Sequence, residues 1–276
     1  MKYPSRPILR YHGGKFRLAS WLLSFFPEHR IYVEPFGGAG SVLLQKQRSY
    51  MDIYNDLDGE IVNLFMVTRD LGEKLVSAIE LTPFSRDEFI DSYLPTDDPI
   101  ERARRLVVRS FMGHGSNSHN RPTGFRRHSR NSGTSPCHDW RNYPRALLEI
   151  IERLQGVVIE NRDASALMAE QDCPESLFYL DPPYVFSTRD KGTDYKFEME
   201  DEQHRAFADQ LHGMKGMIIL SGYPCDLYDK ELFADWKRFE RKAMADGALE
   251  RTEVVWLNPA CAAALAAEEA QQRMFA

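Results

Sequence analysis

Short apolar or alternating runs, bounded by glycine, proline or asparagine, recur along this chain, and their length is typical of β-strands. They predict strands at Ile31–Pro35, Met51–Tyr54, Val157–Glu160, Leu177–Leu180, Gly216–Leu220, Lys237–Arg241 and Val254–Leu257. Helical spacing of apolar residues predicts helices at Ser41–Arg48, Gly59–Thr68, Arg86–Tyr93, Ile100–Phe111, Tyr143–Leu154 and Cys261–Gln272. Because strands and helices alternate, the pattern indicates the α/β class with a largely parallel sheet.

The predicted strands fall into two groups that are separated by a mainly helical segment. Residues 1–66 and 157–276 contain all seven predicted strands, whereas residues 67–156 contain predicted helices and a long polar stretch. We therefore expect one domain built from 1–66 and 157–276, with an inserted, mainly helical domain at 67–156.

A glycine-rich turn follows the first predicted strand. Phe36, Gly37, Gly38, Ala39 and Gly40 connect this strand to the predicted helix, which is the order that opens many nucleotide-binding units. The spacing departs from the dinucleotide fingerprint, because Leu43 stands where a third glycine is expected. We therefore expect a turn that approaches an uncharged part of a ligand rather than a pyrophosphate. A nicotinamide dehydrogenase is an interpretation that rests on this turn alone.

An acidic residue follows the second predicted strand. Asp56 lies sixteen residues after Gly40, where a carboxylate can accept hydrogen bonds from both hydroxyls of a ribose. The alternative is that Asn55, Asp56 and Asp58 form a turn and an N-cap for the following helix.

The tetrapeptide Asp181-Pro182-Pro183-Tyr184 closes the most apolar predicted strand. Two prolines stiffen the loop and leave carbonyls that no helix uses, beside one carboxylate and one aromatic ring. This combination suits a planar group that carries an NH2, such as adenine, because acceptors meet its two hydrogens while the Tyr184 ring stacks on its plane. The alternative is a proline-rich turn with a tyrosine at its edge.

Charge is distributed unevenly along the chain. The 276 residues carry a formal charge of −6 and the pI is about 5.8, values that do not suggest a nucleic-acid-binding protein. However, Arg102 to His138, the arginine block, contains eight Arg and no Asp, Glu or Lys, so that the block carries +8 and the rest about −14. Such segregation is typical of a surface that contacts phosphates.

The arginine block contains a predicted helix and a predicted loop. Apolar residues define one face of the helix and Arg102, Arg105 and Arg109 fall on the opposite face, where they are expected to form a basic stripe along a nucleic-acid backbone. From Gly113 to about Asp139 we predict a long structureless loop, whose Arg121, Arg126 and Arg127 are placed to reach a DNA groove. The alternative is a solvated helix followed by a surface insertion.

The remaining composition is typical of one intracellular enzyme. The chain has neither a long apolar run nor a signal-peptide pattern, so we expect neither a membrane span nor secretion. Its four cysteines are scattered and its histidines fit no common ligand spacing. We therefore expect reduced thiols and no metal site.

Ordered motifs across nearly the whole chain resemble the Dam-like (D12 class) DNA adenine-N6 methyltransferases. They are Tyr11-His12-Gly13-Gly14-Lys15, Glu34 to Ser41, Asn55-Asp56, Asp181 to Tyr184 and Arg251 to Pro259. The resemblance implies a Rossmann-like fold that binds S-adenosylmethionine, with the inserted domain recognising double-stranded DNA.

The resemblance also implies roles for individual residues. Catalysis falls to Asp181, Pro182, Pro183 and Tyr184, and Asp181 also borders the cofactor. The other expected cofactor contacts are Tyr11 and Lys15 at the methionine part, Phe36, Gly37, Gly38 and Gly40 along the cofactor, Asp56 at the ribose, and Asp163 near the adenine. Asp163 is equally suited to be an N-cap. Arg10 is either a DNA contact or a solvated residue.

The function implied is site-specific methylation of N6 of an adenine that has been swung out of duplex DNA. Alternatives are a same-fold enzyme that methylates cytosine N4, RNA or a protein amide, and a non-enzymatic DNA-binding module with a relic cleft. Asp at position 181 favours adenine, because cytosine-N4 enzymes of this type tend to have Ser there and amide or RNA enzymes Asn.

Further expectations concern the surroundings of the enzyme. Val185–Gly192 is either a lid over the extruded base or a crossover loop. We expect a cytoplasmic enzyme of a prokaryote or phage, which a restriction endonuclease can accompany. The resemblance suggests GATC as the target site.

Overall fold

A computed structural model describes residues 3–127, 135–188, 196–244 and 250–275 of the chain. The described residues form two compact units. The helical unit comprises those within Met1–Phe16, Gly38–Lys46 and Asp58–Asn161, and the sheet unit comprises those within Arg17–Gly37, Gln47–Leu57 and Arg162–Ala276.

The order of elements is that of an α/β protein. The α-helices of the described residues are α1 (Ala19–Leu23), α2 (Gly59–Asp70), α3 (Gly72–Glu80), α4 (Arg86–Asp91), α5 (Pro99–Met112), α6 (Pro136–Leu154), α7 (Ala164–Gln171), α8 (Asp201–His212) and α9 (Pro259–Phe275). The strands are β1 (Ile31–Glu34), β2 (Met51–Asn55), β3 (Val158–Glu160), β4 (Ser176–Leu180), β5 (Met217–Gly222), β6 (Lys237–Met244) and β7 (Glu250–Leu257). None of the helices in these ranges is both long enough and apolar enough to cross a bilayer.

The sheet unit is built on six strands in the order β2-β1-β4-β5-β7-β6. β1 pairs in parallel with β2 and β4, and β4 pairs in parallel with β5. β7 runs antiparallel to both β5 and β6. The order changes direction between β1 and β4, so the carboxyl ends of four parallel strands meet at one edge beside a topological switch point. Ligands of open α/β sheets bind at such a point.

The central parallel strands β4 and β5 are mostly apolar and buried, as in parallel sheets that are covered on both faces. Every residue of β4 is buried. On one face Phe178 and Leu180 pack with residues of α7 and α8, and on the other the Tyr179 ring meets Phe26, whose ring also contacts Tyr32. The strand prediction at Leu177–Leu180, including its parallel pairing, is confirmed.

The helical unit is held together by the apolar faces of its helices. In α5 the buried residues recur at helical spacing, and Phe111 contacts the rings of Trp140 and Tyr143 in α6. The N-terminal arm packs on these helices, since the Tyr143 hydroxyl donates to the carbonyl of Ile8 at 2.7 Å and the Arg10 amide donates to Ser110 Oγ at 2.8 Å.

Two helix predictions are wrong, and in each case tertiary contacts explain the difference. Instead of a helix at Ser41–Arg48 there is one 3-10 turn, Leu43–Gln45, because consecutive residues are buried on all sides and Lys46 is extended. The helix predicted from Tyr143 begins at Pro136, where the Ser135 side chain caps it and a proline occupies the first turn.

Candidate active site

The Asp181–Tyr184 loop leaves the carboxyl end of β4 at the centre of the parallel strands. Asp181 is half-buried, and its Oδ1 accepts a 2.8 Å hydrogen bond from Ser221 Oγ at the end of β5. The Tyr179 hydroxyl lies 3.1 Å from Ser221 Oγ. Pro182 is buried, so packing fixes the loop in addition to the backbone rigidity of its two prolines. The loop therefore presents a carboxylate whose position the fold determines.

The surroundings of Tyr179 are acidic. Burial raises the pKa of the Tyr179 phenol well above its usual value, and the carboxylates of Asp181, Glu34 and Glu253 raise it further. Glu34 is itself buried and accepts a 2.7 Å hydrogen bond from the Tyr32 hydroxyl. Three carboxylates therefore lie near one buried ring at this edge of the sheet.

Tyr184 is buried, with 6% of its surface exposed. Its hydroxyl donates to Glu253 Oε2 at 3.3 Å, and the edge of its ring meets the Tyr223 ring at a centroid distance of 4.6 Å. Because the side chain is buried, one face of the Tyr184 ring must become exposed before it can stack on an adenine. Stacking on an extruded base stays a prediction.

The glycine turn has packing reasons for its glycines. A Cβ on Gly37 would lie 2.2 Å from the Tyr54 ring, and one on Gly38 would lie 2.8 Å from the Tyr11 ring. Gly38 and Gly40 also have positive φ values of 47° and 58°, which other residues rarely adopt. Aromatic side chains of the protein thus occupy the space that these two glycines leave, and contact with a cofactor stays a prediction.

Asn55 joins three loops at the carboxyl edge of the sheet. Its side-chain nitrogen donates to the carbonyl of Pro35 at 2.8 Å and to that of Arg162 at 3.1 Å, while its oxygen accepts from the Arg162 amide at 3.0 Å. Asp56 follows directly and is half-buried. The N-cap of α2 is Asp58, which confirms the predicted N-cap before this helix. Asp56 remains a candidate for a ribose.

Asp163 and Phe36 also lie in the sheet unit. Asp163 caps α7, since its Oδ1 accepts from the amide of Ala166 at 2.9 Å. This confirms the capping role and leaves a cofactor contact as a prediction. The half-buried Phe36 ring meets Phe207 edge-on at a centroid distance of 5.6 Å.

The Tyr11-to-Lys15 motif lies in the helical unit. The Tyr11 ring stacks on His119 at a centroid distance of 4.5 Å. Burial lowers the pKa of His119 to about 4, so that the ring is neutral at pH 7. Lys15 is buried and its ammonium donates to the carbonyl of Gly13 at 2.9 Å. His119, which belongs to the arginine block, therefore packs against Tyr11, one of the predicted cofactor contacts.

The basic stripe expected on α5 is occupied by acids from outside the arginine block. Arg102 pairs with Glu60 at 2.6 Å, and Arg105 pairs with Glu101 at 2.6 Å. Arg104 forms ion pairs with both Glu101 and Glu88, and these bonds, that to Glu101 above all, raise its pKa. The stripe is therefore paired with acids, one of which, Glu101, directly precedes the block. Because a guanidinium has five N–H donors, contact of these residues with phosphate stays a prediction.

Arg109 and Arg126 are turned into the protein. Arg109 donates to the carbonyl of Ser92, and burial lowers the pKa of its guanidinium. Arg126 is buried, 3.5 Å from an oxygen of Asp139, and burial lowers its pKa to about 10. The expectation that Arg126 reaches out from a flexible loop is therefore wrong.

The loop predicted from Gly113 is folded back on itself as far as the structure describes it. Gly113 and Phe125 form an antiparallel bridge, and the Arg126 amide donates to the carbonyl of Met112 at 2.7 Å. Arg121 and Arg127 are exposed, as expected of groove-reading residues. Arg10 is half-buried and donates to the carbonyl of Gly113, so it is not a solvated residue. Residues 128–134 and 189–195 lie outside the described residues, and with them parts of the predicted loop and of the predicted lid.

In the part of the chain that the structure describes, residue types that bind metals are not clustered. No group of three or more His, Cys, Asp or Glu within the described ranges is arranged to hold an ion. Cys137, Cys173, Cys225 and Cys261 are free thiols.

Sequence reasoning missed several residues of this site: Ser221, Glu253, Tyr223 and the bonding role of Asn55. Ser221 could have been identified from the strand pairing. β5 pairs with β4 through Leu220 and Leu180, which places Ser221 beside Asp181. Glu253 lies within the Arg251-to-Pro259 motif. Its contact with Tyr184, however, depends on the antiparallel pairing of β5 with β7, which the local sequence does not indicate.

The sheet has the α/β architecture in which ligands bind at a switch point, and it presents an oriented carboxylate there. The sequence model of the D12 class N6 adenine-specific DNA methyltransferases matches residues 11–245. The chain therefore belongs to this family and is an adenine-specific DNA methyltransferase with a Rossmann-like fold, which requires a methyl donor and a DNA substrate.

Named relatives agree with this assignment. DNA adenine methylase of Escherichia coli K12 is 25% identical over 217 residues, which are 73% of this chain and 74% of the relative. The enzyme of the same name from Salmonella typhi is 24% identical over 254 residues, 84% of each chain. A solved structure, precorrin-8W decarboxylase of Methanobacterium thermoautotrophicum, covers 87% of this chain and 88% of its own, with a TM-score of 0.34 and 10% identity.

Proposed function

We propose that this methyltransferase transfers the methyl group of S-adenosylmethionine to N6 of an adenine that is extruded from double-stranded DNA, at the Asp181–Tyr184 loop. One observation carries the proposal: the Asp181 carboxylate stands, oriented by a hydrogen bond, at the end of the central strand β4. It is an acceptor for an amino group in the position where this class of sheet binds its ligands.

The acceptor role of Asp181 suits the chemistry of N6. The nitrogen lone pair is delocalised into the adenine ring, so it becomes nucleophilic only as the amino group moves toward tetrahedral geometry. An acceptor on its hydrogens favours that movement. Alignment of nitrogen, methyl and sulfur contributes more, up to about 7–11 kcal/mol in oriented intramolecular reactions.

The residues of the sheet unit fit the cofactor in type. When bound, S-adenosylmethionine supplies an electrophilic methyl group on a positively charged sulfur. Asp56 would accept from the ribose, Asp163 would lie near the adenine, and Phe36 and Gly37 would line the cofactor. Tyr11, Lys15, Gly38 and Gly40 belong to the helical unit, and their contact with the cofactor stays a prediction.

The helical unit supplies candidates for DNA contact. Arg121 and Arg127 are exposed cations in the arginine block, and Arg10, Arg102, Arg105, Arg109 and Arg126 are cations with partners inside the protein. We propose that residues 67–156 form the DNA-recognition domain and that 1–66 and 157–276 form the catalytic domain. GATC as the target, a cytoplasmic location and a restriction endonuclease partner stay predictions from the sequence.

The replacement Asp181→Ala tests the catalytic part of this proposal. Because Asp181 is assigned to N6, we expect methyl transfer to fall by roughly 10²–10⁴-fold, the usual worth of a positioned proton acceptor. The affinity for S-adenosylmethionine should change little. Single-turnover transfer from tritiated cofactor, with calorimetry of cofactor binding on the same preparation, measures both. Near-normal turnover in the variant would show that the loop is not catalytic.

A further inference from the structure

A row of hydroxyl groups runs from the interior of the sheet to Asp181. Tyr179 is the fourth residue of β4 and Ser221 the fifth of β5, and both are 1% exposed. The two hydroxyls are 3.1 Å apart, and Ser221 Oγ is 2.8 Å from Asp181 Oδ1. The register of two parallel strands brings these groups together, so their arrangement does not depend on a mobile segment.

The hydrogen bonds in this row have a defined direction. Ser221 has one hydrogen to donate. The oxygens within its reach are Asp181 Oδ1 at 2.8 Å, the Tyr179 hydroxyl at 3.1 Å and the carbonyl of Leu180 at 3.2 Å. The carboxylate is the nearest of the three and carries the charge, so the hydrogen lies toward Asp181. The Tyr179 hydroxyl, which has a hydrogen of its own, is then the donor to Ser221 Oγ.

We propose that Ser221 is a positioning residue for methyl transfer, whose hydroxyl fixes the orientation of the Asp181 carboxylate toward the adenine amino group. This inference rests on the proposed function and deepens it. A carboxylate rotates easily about its last side-chain bond, because that torsion has a broad energy profile. One short hydrogen bond to a rigid strand removes this freedom. Catalytic groups need such support to hold a reactive geometry within a fraction of an ångström.

The replacement Ser221→Ala removes the hydroxyl and leaves Asp181 in place. We expect the single-turnover rate of the full-length enzyme, on duplex DNA that the wild type methylates, to fall about ten-fold or more, as for loss of a hydrogen bond to a charged group. Calorimetric affinity for S-adenosylmethionine and the KM for DNA should stay within about two-fold, since Ser221 is assigned to neither ligand.

Ser176→Ala is a matched control. Ser176 is a fully buried serine at the start of β4, and it donates to the carbonyl of Gln171 at 2.7 Å rather than to the catalytic loop. The Ser176→Ala variant should lose about as much folding stability as Ser221→Ala, and it should keep the wild-type single-turnover rate. A wild-type rate in Ser221→Ala, or an equal loss of rate in Ser176→Ala, would overturn the proposal. Should Ser221→Ala fail to fold, Ser221→Cys, which keeps a side chain of similar size with a weak donor, decides by the same criterion.

The double variant with Asp181→Ala separates this inference from the proposed function. If Ser221 acts through Asp181, adding Ser221→Ala to Asp181→Ala causes no further loss of rate. Independent losses that multiply would overturn the positioning role while leaving Asp181 catalytic. An active Asp181→Ala variant would instead overturn the proposed function itself.

Discussion

At the scale of single residues, buried hydroxyl groups and carboxylates hold the loop after β4. Ser221 contacts Asp181 at the start of the loop, and Glu253 accepts from Tyr184 at its end. Both partners come from neighbouring strands on the same side of β4. The loop is therefore tied at both ends, which explains why a segment without regular structure has a defined shape.

Replacing Tyr184 tests its proposed contact with the extruded base. Tyr184→Ala should weaken capture of the base by about 1–3 kcal/mol, the usual worth of stacking between a base and an aromatic ring. Fluorescence of 2-aminopurine at the target position reports this loss. Tyr184→Phe keeps the ring and removes only the bond to Glu253, so it should retain capture. If the alanine variant flips the probe as well as the wild type does, Tyr184 serves packing alone.

The sequence predicted candidate site residues, and it did not predict their partners. Asp56 and Asp181 were named because each follows a predicted strand, and Asp163 was named because of the family resemblance. Ser221 and Glu253 were missed because their roles depend on strand register and on an antiparallel pair far away in sequence. The local sequence pattern indicates which loop carries candidate catalytic residues. The pairing of strands that are distant in sequence determines which side chains hold that loop in place.

At the scale of elements, strand positions followed from sequence more closely than helix positions. β4 and β5 are continuous apolar runs because both of their faces are covered, a pattern that short segments show clearly. In the stretch from Ser41, by contrast, four consecutive residues are buried, so no one-sided helical face forms. Helix α3 was missed, although it has buried residues at helical spacing.

The arginine block shows how far composition can mislead at this scale. Its freedom from acids is real in sequence, yet Glu101 precedes it directly in the same helix, α2 and α4 supply Glu60 and Glu88 to that helix, and Asp139 lies near Arg126. The arginines of α5 thus support the fold in the absence of DNA. Arg121 and Arg127 are exposed and stand out as candidates for direct contact.

Arginine replacements test this distinction by the salt dependence of DNA binding. We expect Arg121→Gln and Arg127→Gln, where these side chains meet phosphate, each to lower the salt slope by roughly one unit. If one of them reads a guanine, its loss should instead cost about 1–3 kcal/mol at one base pair. Arg104→Gln is the control: its side chain forms two ion pairs within the protein, so its loss should reduce stability and leave the slope unchanged. An unchanged slope and site preference in all three variants would place the DNA-binding surface elsewhere.

At the scale of the whole molecule, a protein with a net charge of −6 acts on a polyanion. The family assignment rests on a match over residues 11–245, and the named relatives share only 24–25% identity with the chain. The family match supports the reaction class, adenine-specific DNA methylation. It does not give the target sequence, which has to be measured.

Sequencing of modified bases in cellular DNA tests the central claim most directly. The chain and its Asp181→Ala variant are expressed at equal levels in a host whose DNA lacks N6-methyladenine. We predict N6-methyladenine at one recurring short sequence with the wild-type chain and none with the variant. Absence of N6-methyladenine with the wild type, methylation of cytosine N4 or of RNA instead, or the same adenine pattern from the variant would contradict the account.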